Sequence, residues 1–496
     1  MQKILTSAQM RAADKYTIEE LGVPSSVLME RAGAAIAGEA EKELVRMGGS
    51  RVLAVCGGGN NGGDGYCAAR ILSEHGFHAD VFALCEQLSD DCAAQREKFG
   101  GKVFTAFPKE EYDLIIDAIF GTGLRRPPEG KFADAIAAVN GSGAYVLSAD
   151  IPSGLNGDTG TAALSVRADK TVTIGERKFG LYLQDGADLC GEIVRADIGI
   201  TLPAGQYASR FGKEDFSDIF PPKKKNTNKG SYGRASIFAG SRLYSGAALL
   251  SAGAALRSGA GYTRLYCPES VFAHYIAKYP ELILAPVPDE GGFVRMDEQA
   301  LAAVCENSDA LAVGMGSGVS RGLYDCIAYF LSEFKGTLVL DADALNALSE
   351  YGADILREKA CRVILTPHLK EFSRIAGVSL DEVRAGGAEL ARRFASEYGV
   401  TLLLKSNASI VTNGKNTALV AEGSPALARG GSGDVLSGIV CALAARGVTA
   451  FRSAVCGAHL LGRAGAIAER ECNEYSLLAT DVIAKIPAAV SELMGS

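Results

Sequence analysis

From residue 51 onward, short β-branched and aliphatic runs alternate with amphipathic stretches, the rhythm of strand, helix and strand. The pattern predicts strands at 52–56, 80–84, 114–116 and 145–147, with a helix over 66–74. Ahead of them, 7–38 reads as helix with a break at Gly22-Val23-Pro24. A second alternation places strands at 235–238, 310–313, 337–340, 362–365 and 401–404, then two apolar helices at 434–445 and 452–469. Strands separated by helices imply parallel sheets covered on both faces, an α/β class in each half.

The two alternations meet near 211–228, where prolines, charge and lost periodicity coincide. The chain therefore divides into a first domain over 1–213, a linker over 214–228 and a second domain over 229–496. A length of 496 residues exceeds one ordinary core, and 48% hydrophobic against 22% charged residues excludes a disordered polypeptide. The unusual entry is glycine, 59 residues without a collagen period, which points to tight turns and close backbone approaches.

Net charge is −8, and it is unevenly placed: residues 1–220 carry 22 Lys+Arg against 31 Asp+Glu, while the remainder is nearly balanced. No basic field is available for nucleic acid. The one cationic run, Lys223-Lys224-Lys225, reads as solvated linker. Twelve cysteines are scattered without a C-x-x-C pair, most in apolar runs, as expected of reduced buried thiols in a cytoplasmic protein. The N-terminus lacks a signal-peptide apolar segment and no run is long enough to span a membrane, so no membrane partner is expected.

Strand 52–56 runs straight into Gly57-Gly58-Gly59-Asn60-Asn61-Gly62-Gly63-Asp64-Gly65. Read literally, Gly57, Gly59 and Gly62 satisfy G-x-G-x-x-G, and Glu86 sits where a ribose-binding acid would. Two asparagines and an aspartate weaken that reading, because a pyrophosphate wants backbone N–H groups and not an anionic side chain. Two later loops share the strand-end address, one from Asp117 to Gly121-Thr122-Gly123-Leu124 and one from Asp150 to Ser153. In a doubly wound sheet such loops converge on one crevice. Asn61, Asp117 and Ser153 would then offer hard oxygens to a cation, with Thr122 facing a polar ligand. A lone strand-end aspartate more often caps a turn; three coincident loops favour a site.

In the second half, Gly430-Gly431-Ser432-Gly433-Asp434 opens a helix. Small residues at a helix N-terminus present free N–H groups to an anion, and a carboxylate in that turn can take the proton of an attacking hydroxyl. Other strand ends carry Gly314-Met315-Gly316, Asp341-Ala342-Asp343, Thr366-Pro367-His368 and Lys405-Ser406-Asn407-Ala408-Ser409. His459, inside an apolar helix, reads as core.

The first set of motifs resembles the NAD(P)H-hydrate epimerase family, and the second the ribokinase-like NAD(P)H-hydrate dehydratases; together they span nearly the whole chain. The resemblance implies a Rossmann-like doubly wound sheet domain followed by a ribokinase-like α/β domain. It implies K+ held by Asn61, Asp117 and Ser153. Hydrated dinucleotide would be bound by Asn60, Asn61, Gly62, Gly63, Asp64, Gly121, Thr122, Gly123, Leu124, Arg125, Arg126, Pro127 and Asp150. Asp150 is the expected proton-exchanging group, with Lys178 as helper. In the second domain Ala247, Gly316, His368 and Asp434 would contact hydrated dinucleotide, with Asp434 catalytic. Lys405, Ser406, Asn407, Ala408, Ser409 and Gly433 would contact ADP, accompanied by Mg2+. The sequence departs from the family at Lys405–Ser409, at Met315 and after His368, which bears on nucleotide contacts more than on chemistry.

The expected activity is repair of hydrated NADH and NADPH: epimerisation in the first domain, then phosphorylation and elimination in the second. The expected partners are these small molecules, with a homo-oligomer as the assembly. The alternatives are a vitamin or sugar kinase carrying an N-terminal non-catalytic nucleotide-binding module, and a scaffolding N-terminal domain.

Overall fold

The computed structural model describes residues 1–124, 126–276 and 278–494. Arg125, one of the expected substrate contacts, lies outside them. The chain divides into an N-terminal unit, 3–207, and a C-terminal unit, 208–496 with Met1 and Gln2.

In the N-terminal unit seven parallel strands run in the order Val103–Phe104, His78–Ala83, Arg51–Cys56, Leu114–Ala118, Tyr145–Ala149, Lys170–Ile174 and Glu192–Ala196. Strand side chains alternate between faces, and both faces are covered. Val52, Ala54 and Cys56 pack with Ile36, Leu44 and Tyr66, whereas Leu53 and Val55 pack with Ile136 and Val139. Arg51–Cys56 is flanked by the strand that follows it on one side and Leu114–Ala118 on the other, so the strand order reverses there. Ligands of open α/β sheets bind at such a reversal, beyond the carboxyl ends. The break at Gly22 to Pro24 is present, between a π-helical turn at Tyr16–Glu20 and the helix Ser25–Met47.

The helix placed at 66–74 spans Asn60–Glu74, so the Asn-Asn-Gly-Gly-Asp run is its first turn and not a loop. Packing overrides poor helix propensity here. A Cβ on Gly62 would lie 2.0 Å from the Gly57 carbonyl oxygen, and one on Gly65 2.6 Å from the Ala118 methyl, so only glycine lets the helix begin this close to the sheet.

The C-terminal unit's sheet places seven parallel strands in the order Ile283–Val287, Tyr262–Pro268, Arg234–Phe238, Ala310–Val313, Thr337–Leu340, Arg362–Leu365 and Thr401–Leu404. An antiparallel pair, Ser409–Thr412 and Thr417–Val420, continues it. The helices Ser245–Arg257, Ser432–Ala445 and Ala450–Cys472 contribute to its principal core. The expected linker needs correction in its first half: Phe216, Ile219 and Phe220 are buried in this core, because aromatic side chains anchor the segment. Lys223, Lys224 and Lys225 are exposed.

Among the described residues no helix is long and apolar enough to cross a membrane. The twelve cysteines are unpaired and nine are buried. His459 is buried too, against the Phe216 ring.

Candidate active sites

A cavity of about 670 Å³ opens beyond the carboxyl ends of the N-terminal sheet. Its wall includes Asn60, Asn61, Asp64, Gly121, Thr122, Gly123, Leu124, Arg126, Asp150 and Lys178. A helix's first turn and two later strand ends, far apart in sequence, thus meet at one site. Gly62 and Gly63 serve differently: both are buried, and a Cβ on Gly63 would lie 2.7 Å from the Met29 side chain. Pro127 and Glu86 are exposed. With Glu86 outside the cavity wall, the literal dinucleotide fingerprint has no ribose acid among the wall residues.

Asp150 and Lys178 form the tightest charged contact of this cavity. Lys178 Nζ donates to Asp150 Oδ1 at 2.5 Å, and also to Thr173 Oγ1 at 3.0 Å and the Ile174 carbonyl at 2.7 Å. All three ammonium protons are engaged and the side chain is buried. Asp150 has a φ of 68°, a left-handed backbone uncommon for a residue with a Cβ. It is held there by its N–H bond to the Val172 carbonyl at 2.8 Å and by the Ile174 N–H, which reaches Oδ1 at 3.2 Å. The geometry leaves Oδ2 near Gly121, 3.2 Å from where a Cβ would stand.

Asp117, two residues before the wall residue Ile119, is itself outside the wall and fully buried. Oδ2 accepts from Ser148 Oγ and the Ser153 N–H, both at 2.8 Å; Oδ1 accepts from Ser153 Oγ at 2.5 Å and the Ile119 N–H at 3.3 Å. Burial raises its pKa, and the four neutral donors oppose that rise. Asn61 Nδ2 is buried without a hydrogen-bond partner. Asp64 is also buried, and burial together with the charges of Asp150, Asp14 and Asp91 pushes its carboxyl well up.

Asp14, on the helix Ser7–Lys15, also lines this cavity, and sequence reasoning missed it. Burial first, then the negative charge of Asp150, raise its pKa to about 6, against the opposing effect of Lys178. In an amphipathic helix nothing marks this aspartate off from an ordinary solvated one.

In the C-terminal unit the expected residues gather at the carboxyl ends of the parallel strands. Lys405 Nζ donates to Asp341 Oδ1 at 2.8 Å, and Ser437 Oγ to Asp341 Oδ2 at 2.6 Å. Ser437 lies on the helix Ser432–Ala445, whose first turn carries Asp434. This helix starts after Gly431, which has a φ of 98°. A Cβ on Gly433 would stand 3.3 Å from Lys405 Nζ, so the lysine sits at the mouth of the glycine turn. Asp434 has its pKa raised to about 7 by burial and then by Asp341, with Lys405 opposing.

His368 caps the helix Leu369–Ala376 with its ring: Nδ1 accepts from the N–H groups of Lys370 and Glu371, both at 3.1 Å. That fixes the tautomer, leaving the proton on Nε2. Burial and the charge of Lys405 lower its pKa, so it stays neutral. Backbone bridging joins His368 to Lys405. Gly316 and Ala247 are neighbours, 3.0 Å apart for a Cβ built on Gly316. Beyond Lys405, Ser406 and Asn407 are exposed, Ala408 is buried and Ser409 starts the next strand. The pairing of Asp341 with Lys405, 64 residues apart, was absent from the sequence reading.

Residues 25–180 match the family model described as YjeF-related protein N-terminus, and residues 235–488 the one described as NAD(P)H-hydrate dehydratase. The bifunctional NAD(P)H-hydrate repair enzyme Nnr of Hyperthermus butylicus is 36% identical over 99% of this chain and 92% of its own. That of Thermofilum pendens is 33% identical over 99% and 97%. Among solved structures, an ADP/ATP-dependent NAD(P)H-hydrate dehydratase of Bacillus subtilis co-crystallised with ATP and Mg2+ matches with a TM-score of 0.50 and 26% identity. It covers 58% of this chain and 99% of its own. With both family models matched in order and relatives aligned end to end, this chain belongs to the bifunctional NAD(P)H-hydrate repair enzyme family.

Proposed function

We propose that the chain repairs hydrated NADH and NADPH, epimerising them in the N-terminal cavity and dehydrating one epimer in the C-terminal unit at the expense of ADP. The observation that carries this reading is the pair of separate strand-end sites, each with a carboxylate suited to proton transfer. In the first, Asp150 would exchange the proton with Lys178 holding it in place. In the second, Asp434 would take the proton from the ring hydroxyl as it attacks the nucleotide's terminal phosphoryl group. A pKa near 7 suits that task, because it combines an available base with a useful driving force. The glycine turn and Lys405 would stabilise the transferred phosphoryl group, and phosphate would then leave as the ring double bond returns. His368, neutral with its proton on Nε2, would donate a hydrogen bond to the substrate.

A monovalent cation fits beside Asp117. The carboxylate is fully buried and pairs with no Lys or Arg among the described residues, and Asn61, on the cavity wall, has a buried amide nitrogen without a partner and can turn its oxygen to an ion. Asn61, Asp117 and Ser153 would hold K+, which would offset the negative charge of the cavity. Among the described residues no three His, Cys, Asp or Glu form a metal cage, so Mg2+ would arrive on the nucleotide's phosphates.

The test supplies purified protein with each epimer of hydrated NADH, with and without ADP, and follows the return of dihydronicotinamide absorbance. Complete return from both epimers supports the reading. No return with either ADP or ATP overturns it, and complete return from one epimer beside return from the other only at the spontaneous rate overturns the N-terminal part.

A further inference from the structure

Inverting a carbon that bears a hydroxyl needs a proton given on departure and a proton taken on return. One carboxylate can give that proton and take it back, but it faces one side of the ring, whereas inversion returns the hydroxyl on the other. The N-terminal cavity holds two partly buried carboxyls on different elements: Asp150, beyond the strand Tyr145–Ala149, and Asp14, on the helix Ser7–Lys15. Their surroundings differ. Asp150 is ion-paired with Lys178 at 2.5 Å. Asp14 has no hydrogen bond or ion pair among the described residues, although it is partly buried on the cavity wall.

We propose that Asp14 is the second acid–base group of the epimerisation, complementary to Asp150, acting on the hydroxyl of the hydrated ring carbon. This rests on reading the cavity as the epimerisation site. In one direction the Asp14 carboxylic acid gives its proton to that hydroxyl as the C–O bond breaks and water departs. The ring nitrogen's lone pair becomes the second bond to carbon. Water then adds to the other face, its surplus proton passes to the Asp150 carboxylate, and the electron pair returns to nitrogen. Asp14 is left ionised and Asp150 protonated, the state required for the reverse passage, so no external acid or base is consumed.

The electrostatics agree with this division. Paired titratable groups with different surroundings mark acid and base assignments. Asp14 rises to about 6 through burial and the charge of Asp150. The other charged groups around it are Asp64 and Asp91 on the helices Asn60–Glu74 and Asp90–Lys98, Lys178 on the strand Arg177–Lys178, Arg126, and Arg11 on its own helix.

The experiment uses the full chain, without nucleotide, starting from a single purified epimer of hydrated NADH and following its conversion by chromatography between pH 5 and 8. Asp14→Asn is expected to lower kcat roughly 10²–10⁴-fold, the usual worth of a positioned acid or base, with KM within about threefold. The wild-type decline in kcat/KM as pH rises through about 6 is expected to disappear in this variant. Asp14→Glu is expected to restore part of the rate and the pH limb. An Asp14→Asn enzyme at the wild-type rate beside an inactive Asp150→Asn overturns the assignment of Asp14 alone. If Asp150→Asn is equally active, the reading of the cavity fails and the assignment with it. Should Asp14→Asn not fold, Asp14→Glu decides: an unaltered rate and limb overturn the proposal, and a lowered rate with a displaced limb supports it.

Discussion

Asp341 holds Lys405 through one carboxylate oxygen, at 2.8 Å, while the other accepts Ser437 at 2.6 Å on the helix that carries Asp434. One side chain therefore couples the lysine at the glycine turn to the element bearing the proposed base. Its negative charge is also the largest effect after burial in raising Asp434. Asp341→Asn should let Asp434 ionise at lower pH. Because the ionised form is the active base, dehydration should rise with pH through about 7 in the wild type, and this limb should move to lower pH in the variant. A pH profile of kcat/KM at saturating nucleotide checks it.

Asp434→Asn should reduce dehydration by roughly 10²–10⁴-fold while nucleotide binding, measured calorimetrically, stays within a few-fold. The same change should alter stability in a pH-dependent way. Ionisation of Asp434 is disfavoured in the folded state, so the wild type carries that cost in full at pH 8, carries less of it at pH 5, and loses it only below the unfolded value of 3.8. The variant should therefore gain in Tm relative to wild type at pH 8 and much less at pH 5.

Lys178→Met should cost about 3 kcal/mol of N-terminal unit stability. That is the low end for removing one partner of a buried pair, since Asp150 still reaches cavity water. Epimerisation should fall with it, and chemical unfolding followed beside epimer exchange separates the two effects.

Gly62→Ala should disable the N-terminal unit, because the added carbon would stand 2.0 Å from the Gly57 carbonyl oxygen, a backbone atom that no rotamer change can move. The expected cost is about 3 kcal/mol, the upper end for overpacking. Epimerisation should be lost and dehydration retained in the same preparation.

Replacing K+ by Na+ or Li+ should slow epimerisation and leave dehydration unchanged. Ser153→Ala should weaken the K+ response, since its hydroxyl contacts both Asp117 and the Phe120 N–H. Epimer exchange titrated against each salt at constant ionic strength checks both.

The strands at Ala310–Val313, Thr337–Leu340, Arg362–Leu365 and Thr401–Leu404 were legible to the residue, because each is an apolar run bounded by Gly, Asp, Pro or charged residues. The strand-end motifs were legible for the same reason: parallel topology brings every carboxyl end to one edge. The start of the helix Asn60–Glu74 was not, since Asn-Asn-Gly-Gly resists helix by propensity and only its packing against the sheet imposes it. Phe216 and Phe220 lie among prolines and charges whose local pattern says linker, yet distant core residues bury them. Asp14 and Asp341 escaped because their roles depend on partners brought together by the fold.

The unpaired cysteines give each unit its own reporters of opening. Cys67 and Cys190 in one unit, and Cys267, Cys326, Cys441 and Cys456 in the other, are pushed up to about 12 by burial, which leaves almost no thiolate at neutral pH. An alkylating reagent reaches them as ordinary thiols only when the surrounding core separates. Mass spectrometry of labelled peptides can therefore time the loosening of the epimerising and dehydrating halves separately, in the unaltered protein and with no probe introduced.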